Sequence, residues 1–392
     1  MLLEALLTNE IQEYIRKQCE NPTSQLAFQK NPFPHVEWKL ILQQIEAKAK
    51  AKEKLPLWYS TRNIIYPSKI SVEQTSSEKT AIFKSSLIRG KKIIDLTGGF
   101  GIDAYFFSKQ FESVIHSEQN AVLSSIVQHN FKQLNANNIQ CIAGNSEEIL
   151  SSLQQQFDWL YIDPSRRNEQ KGKVFMLKDC EPNVPELMNY YFQFSKQILI
   201  KTAPILDIKA GLNELNFVKN IHIIAVENEV KELLWEIEKE YSGQPTLKTV
   251  NLTKSKTELF DFVLNEDSSK ATLGKPEKYL YEPNAAIMKS GGFDEVAHFF
   301  KLKKLHPHSH LYTSNELINF CGRVFELQQT ILYNKKNMMQ LGLSKANITT
   351  RNFPETVETL RKKWKIKDGG EVYCFFTTDD ENQKIVLLCK KL

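Results

Sequence analysis

Between residues 91 and 270 the sequence alternates short, β-branched apolar runs with stretches long enough to hold a helix, and that rhythm leaves few folds open. KKIIDL (91–96), SVIHSE (113–118), IQCIAG (139–144), FDWLYID (157–163) and QILIKTA (197–203) are the first five runs. NIHIIAVEN (220–228) and ELFDFVLNE (258–266) supply a sixth and a seventh. Strands separated by helices cannot pair as hairpins, so they read as βαβ units of a parallel, doubly wound α/β sheet.

The flanks differ from this core. Residues 1–75 read as a helical segment, with apolar positions at Leu3, Leu6, Leu7, Ile11, Tyr14 and Ile15 and a run of helix formers from Val36 to Lys54 that stops at Leu55-Pro56. The α/β domain then takes residues 76–270. A polar linker, SSKATLGKPEK (268–278), leads into a small module over 271–320. The end, 321–392, reads β-α-β-α-β-β, a small α+β domain with Gly369-Gly370 at a turn and Asp379–Asn382 at the last hairpin.

Charge follows the same divisions. The chain has 392 residues and a formal charge of +5, distributed as +4 over 1–90, −5 over 91–270 and +6 over 271–392. Two basic flanks around an acidic middle suit a catalytic unit between segments that meet a polyanion, though an ordinary solvated surface gives the same sums. The start has no basic region ahead of an apolar run, and no stretch approaches the roughly 20 apolar residues of a membrane span. Six scattered cysteines without a CxxC pair indicate neither a disulfide framework nor a zinc ribbon. The expectation is a cytoplasmic protein with reduced thiols, no metal and no obligate protein partner.

The chemistry concentrates in two loops. Asp95-Leu-Thr97-Gly-Gly99-Phe-Gly101-Ile-Asp103 follows the first strand and precedes a helix. Glycines there let a ligand approach the backbone, and the helix start offers free N–H groups. The D-x-T-x-G-x-G pattern departs from the G-x-G-x-x-G spacing that seats a pyrophosphate, and its leading acid suits a cationic amino group better than a phosphate. The second loop, Asp163-Pro164-Ser165-Arg166-Arg167, ends the fourth strand.

These motifs resemble those of the class I S-adenosylmethionine-dependent methyltransferases. The resemblance implies a Rossmann-like, seven-stranded domain in which Asp95, Thr97, Gly99, Gly101 and Asp103 form the cofactor loop. It also implies that Glu118, 23 residues after Asp95, accepts hydrogen bonds from the ribose and that Asn145 meets the adenine. Asp163 and the Pro164 carbonyl then orient the methyl acceptor. Ser165 and Arg166 stand where the family often has a second proline and a stacking aromatic, so the acceptor base stays open. Arg166 and Arg167 either contact nucleic-acid phosphates or pair with local carboxylates. Ser77 and Lys84, on the helix before the first strand, are further candidates to close over the cofactor.

Cys180 precedes the fifth strand, which argues against the cysteine nucleophile of the pyrimidine-C5 enzymes. His306-Pro-His308-Ser-His310 lacks a nearby acid or cysteine to complete a metal set. RKKWKIK (361–367), including Lys363 and Lys365, is either a basic helix end or an RNA-facing patch. Over nearly the whole chain, IYPSKISVEQTSSE (65–78), DLTGGFGID, YIDPSRR, KYLYEPNAAIMKSGG (278–292) and KIKDGGEVYCFF (365–376) are similar to bacterial class I methyltransferases with a ferredoxin-like segment and a C-terminal THUMP-like domain. That resemblance implies methylation of a tRNA or rRNA base from S-adenosyl-L-methionine. The alternatives are a non-catalytic RNA-binding protein that keeps the fold, and a methyltransferase acting on a protein or small molecule.

Overall fold

The structure, a computed structural model, describes residues 2–67, 69–166, 176–265 and 269–392. It falls into two compact units: residues 1–219 with 233–242, and residues 220–232 with 243–392.

In the first unit, strands β1 (Gly90–Asp95), β2 (Phe111–Glu118), β3 (Ile139–Ala143), β4 (Trp159–Ile162) and β5 (Gln197–Thr202) are all parallel and lie in the order β5-β4-β1-β2-β3. Ile93, Ile94, Leu160, Ile198, Leu199 and Ile200 are wholly buried, as strands covered on both faces require. The helices 102–107, 121–133, 146–153 and 184–191 are the crossovers. Strand order reverses between β1 and β4, and the crevice beyond the carboxyl ends of these strands is where such sheets bind ligands.

The expected fold class stands, a mostly parallel α/β sheet with a separate C-terminal sheet domain. Two strands were missing from the sequence reading. After β6 (Val218–Val226) comes β7 (Glu229–Glu238), whose residues 233–238 run antiparallel to β5. Further on, β8 (Thr246–Leu252) pairs parallel with β6 and antiparallel with β9 (Thr257–Val263), the run that the sequence offered as a seventh strand.

The N-terminal helices (2–6, 9–18, 23–26, 38–54 and 56–60) enclose a cluster of their own around Ile11, Ile15, Leu26, Ile41 and Ile45. Side-chain amides tie the segment after them to the sheet domain. The N–H of Ile65 donates to Asn130 Oδ1 (2.9 Å), and Asn130 Nδ2 returns a bond to the Ile65 carbonyl (2.8 Å). Gln44, on helix 38–54, makes the same reciprocal pair with Tyr66 (2.9 and 2.7 Å) and ties that segment back to the helices. Buried backbone outside a ladder needs such partners.

In the second unit, β10 (Tyr279–Pro283), β11 (Lys303–Lys304), β12 (Tyr312–Ser314), β13 (Gly322–Leu332), β14 (Lys345–Thr350), β15 (Lys367–Thr378) and β16 (Lys384–Lys391) form a sheet in the order β11-β12-β10-β13-β16-β15-β14. Gly369 and Gly370 do not make the expected turn. They lie inside β15 at φ of +92° and +90°, beside a register shift opposite Ala346 and Asn347, so they form an irregularity in a continuing strand.

One contact in the first unit leaves no room for a side chain. A Cβ on Gly211 would sit 2.3 Å from Cη2 of the buried Trp235. Gly211→Ala is expected to cost about 1–3 kcal/mol through overpacking, measured as a lower urea midpoint at constant m-value.

Candidate functional site

A cleft of about 530 Å³ opens at the carboxyl ends of β1, β2 and β4. Of the residues singled out in the sequence, Thr97, Glu118, Asn145 and Asp163 line it, joined by the unforeseen Glu147, Glu181, Asn183 and Glu186. Its charged lining among the described residues is acidic throughout.

The glycine loop is held by two carboxylates. Asp95, buried at the end of β1, accepts the Thr97 N–H at 3.0 Å and its hydroxyl at 3.4 Å. The same hydroxyl oxygen accepts the Asp163 N–H at 2.7 Å, so one threonine joins the β1 loop to the β4 loop. Glu118, at the end of β2, accepts the Gly99 N–H through Oε2 (2.8 Å) and the Asn120 N–H through Oε1 (2.7 Å). Gly98 lies against the buried His116 ring, where a Cβ would come within 2.3 Å of Nε2. Burial pushes that imidazole down to about 4, so it packs as a neutral ring.

Gly99 and Gly101 take φ of +53° and +77°, a region costly for other residues. Their surroundings differ. Beside Gly99 the space is open, its nearest neighbour the Thr97 carbonyl at 3.7 Å, whereas a Cβ on Gly101 would meet Phe131 Cζ at 2.6 Å and Val127 Cγ1 at 2.7 Å. Gly99 therefore leaves room for a ligand, and Gly101 lets helix 121–133 approach.

Asp103 turns away from the cleft. Helix 102–107 points it inward, where Lys84 Nζ reaches Oδ1 at 2.9 Å and both the Tyr161 hydroxyl (2.7 Å) and the Ser76 hydroxyl (2.9 Å) donate to Oδ2. Burial raises this carboxyl, but the ammoniums of Lys84 and Lys201 and the bonds from Lys84 and Tyr161 outweigh it and hold the group at about 2. Lys84 is wholly buried here and Ser77 caps its own helix by accepting the Thr80 N–H, so neither is placed to close over a ligand in the cleft. Asp95 shifts the other way. Burial pushes it up to about 8, helped by the Asp103 and Asp163 carboxylates and opposed by the Thr97 N–H.

Asn145 lines the cleft, but its side-chain oxygen caps helix 146–153 through the N–H groups of Glu147 (2.9 Å) and Glu148 (3.2 Å), leaving its NH₂ for a ligand. Pro164 is buried. Arg166 belongs to a two-residue strand paired with Cys180–Glu181, and Arg167 lies outside the described residues. Cys180 is buried and absent from the cleft lining.

The remaining candidates are in the second unit. Lys363 donates to Glu355 (3.0 Å) and Tyr333 (2.9 Å), and Lys365 caps helix 357–364 in a left-handed conformation. His306 accepts from Asn352 at 2.9 Å and meets Asn382 at 3.2 Å, while His310 stacks on Phe293 with ring centres 3.5 Å apart. Among the described residues no group of three or more His, Cys, Asp or Glu is placed to hold a metal, and no helix is long and apolar enough to cross a membrane.

Comparison with known proteins agrees with this architecture. Family models match a ferredoxin-like domain at 279–320, a THUMP domain-like region at 322–391 and conserved hypothetical protein 95 at 71–179. A Rossmann-like domain followed by these two modules defines a class of methyltransferases. A crystal structure from Porphyromonas gingivalis W83, of a protein provisionally assigned as a methyltransferase, matches with a TM-score of 0.89 at 31% identity, covering 99% of this chain and 98% of that one. The chain belongs to the family of that protein. An rRNA methylase from Streptococcus thermophilus matches 41% of this chain and 95% of its own at 12% identity and a TM-score of 0.30. A Pyrococcus horikoshii protein provisionally assigned as an RNA methyltransferase matches 48% and 98% at 12% identity and a TM-score of 0.32. No curated protein matches the sequence.

Urea unfolding across pH tests the buried charges. Lys84→Met strands Asp103 beside a single remaining cation and is expected to cost about 3–5 kcal/mol at pH 7. Asp95 has the opposite sign from a paired acid: its usual value of 3.8 is raised to about 8, so its contribution is full below about pH 4 and lost as pH rises through about 8. Asp95→Asn should therefore flatten the decline in stability between these limits.

Proposed function

We propose that the chain is an S-adenosyl-L-methionine-dependent methyltransferase acting on an RNA base, in tRNA or rRNA. The observation that carries the reading is Glu118 at the end of β2, bonded to the Gly99 amide and facing the same cleft as Asp163. An acid at that strand end suits ribose hydroxyls, and the open side of Gly99 leaves space for the methionine portion. A volume of about 530 Å³ is within the ordinary size of small-molecule sites. The residues therefore fit the cofactor.

Glu118 would hold the ribose, Asn145 the adenine through its free NH₂, and Thr97 and the Gly99 backbone the methionine end. Asp95 and Gly101 would act through the loop, by shaping it. The cofactor when bound supplies a methyl group already activated on a sulfonium, which leaves the protein binding, orientation and proton removal. Asp163, held by Thr97 through its backbone, presents its carboxylate to the acceptor, and the acid-lined cleft keeps a cationic ligand in favourable surroundings.

RNA as the acceptor is supported by the THUMP-like region at 322–391, since THUMP domains proper bind structured RNA, and by the basic balance of the C-terminal part. Lys362 and Lys365 are its best phosphate contacts, because Arg361 and Lys363 are already paired with Asp368 and Glu355. We take the chain to comprise a helical segment, a catalytic domain, the ferredoxin-like module and the THUMP-like domain, working in the cytoplasm. The five carboxylates of the cleft, Glu118, Glu147, Asp163, Glu181 and Glu186, favour one second reading: transfer to a cationic group of a protein.

Isothermal titration with S-adenosylmethionine should give binding that Glu118→Ala weakens about 10- to 100-fold. With labelled cofactor, RNA from a deletion strain should take up the methyl group, and Asp163→Ala should slow that uptake about 100-fold or more. Label in protein would select the second reading, and absence of cofactor binding would overturn both.

A further inference from the structure

β5 is apolar and wholly buried at Ile198, Leu199 and Ile200, yet its next residue is Lys201, only 9% exposed. A buried ammonium is costly unless it is paired, and the direct partner of Asp103 is Lys84, at 2.9 Å. The counter-charge of Lys201 is Asp163. Its Nζ stands 2.5 Å from Asp163 Oδ2, 3.2 Å from Ser76 Oγ and 4.0 Å from Asp103 Oδ2.

The ammonium is fixed from behind. Ser76 accepts from both Lys84 (3.0 Å) and Lys201 while donating to Asp103, so its hydroxyl is saturated and cannot turn without breaking a bond. The Tyr161 hydroxyl closes the cluster by donating to Asp103 Oδ2, the oxygen that Ser76 also bonds. The rigid end of this chain of contacts is Lys84, wholly buried, and the accessible end is Asp163, whose side chain is 37% exposed and lines the cleft. Asp163 is thus held at two points: its N–H on Thr97 Oγ1 and its Oδ2 on Lys201. Among the described residues Oδ1 has no protein partner and is left for a ligand.

We propose that Lys201 is a positioning residue for methyl transfer: it clamps Asp163 Oδ2 so that Oδ1 meets the acceptor in one orientation. This rests on the reading that Asp163 faces the acceptor. A rigid carboxylate matters because small misplacements of a reacting group cost large factors in rate.

The test uses the full chain, labelled S-adenosylmethionine and total RNA from a deletion strain. Lys201→Met, with Lys201→Gln in reserve should the first fail to fold, is expected to lower the single-turnover rate about 100-fold while cofactor affinity by titration stays within about threefold. Because both residues act through one carboxylate, adding Lys201→Met to Asp163→Asn should slow the reaction by less than about twofold further. A crystal structure of the Lys201 variant should show the Asp163 carboxylate turned from its parental position, a readout that needs neither cofactor nor RNA. An unmoved carboxylate, an unchanged rate, or losses that multiply in the double variant would each overturn the proposal. A parent that binds no cofactor, or an Asp163→Asn variant as fast as the parent, would instead remove the functional reading. In that event the crystal structure alone decides whether Lys201 sets the carboxylate.

Discussion

The buried pair of Lys84 and Asp103 organises the first unit's functional face. Removing two charges from water is favourable only where geometry and further hydrogen bonds repay the desolvation, and here Ser76 and Tyr161 complete the shell. That requirement fixes helix 78–87 against helix 102–107, and with it the direction in which the glycine loop leaves β1.

Two kinds of carboxylate therefore meet within one short stretch. Asp103 is ionised and spent on structure, while Asp95, a few residues away, is pushed toward its neutral form by burial. Glu118 and Asp163 keep solvent-facing positions and line the cleft. Environment rather than residue type decides which acid shapes the loop and which remains for a ligand.

Much of this was legible in the sequence. Continuous β-branched runs located the five parallel strands, because strands buried on both faces carry no polar alternation. The glycine loop and the Asp163 loop were equally visible, since each follows directly from a strand end. What escaped depended on contacts between distant residues. EVKELLWEIE mixes charges into an apolar run and gave no clear strand signal, though it forms β7. Asp103 read as a cofactor residue through its place in the motif, until helix geometry turned it toward Lys84. That the Asn145 oxygen caps helix 146–153, leaving only its NH₂ for the adenine contact expected of it, was likewise not visible. Lys201 was hidden by its partners, which lie 38 to 125 positions away. One signal was available: a lysine at the end of the apolar run QILIK is out of place unless something pairs with it.

The division into two units does not follow the order of the chain. Residues 220–232 belong to the second unit, yet they precede residues 233–242, which complete the first. No single cut separates the two, and no contiguous fragment holds either one entire without part of the other. On a ribosome, the parallel sheet must wait with β5 lacking its neighbour on one side until β7 has emerged, and by then a piece of the other unit has already been made. Completion of the first unit's sheet thereby waits on a stretch of chain that belongs elsewhere.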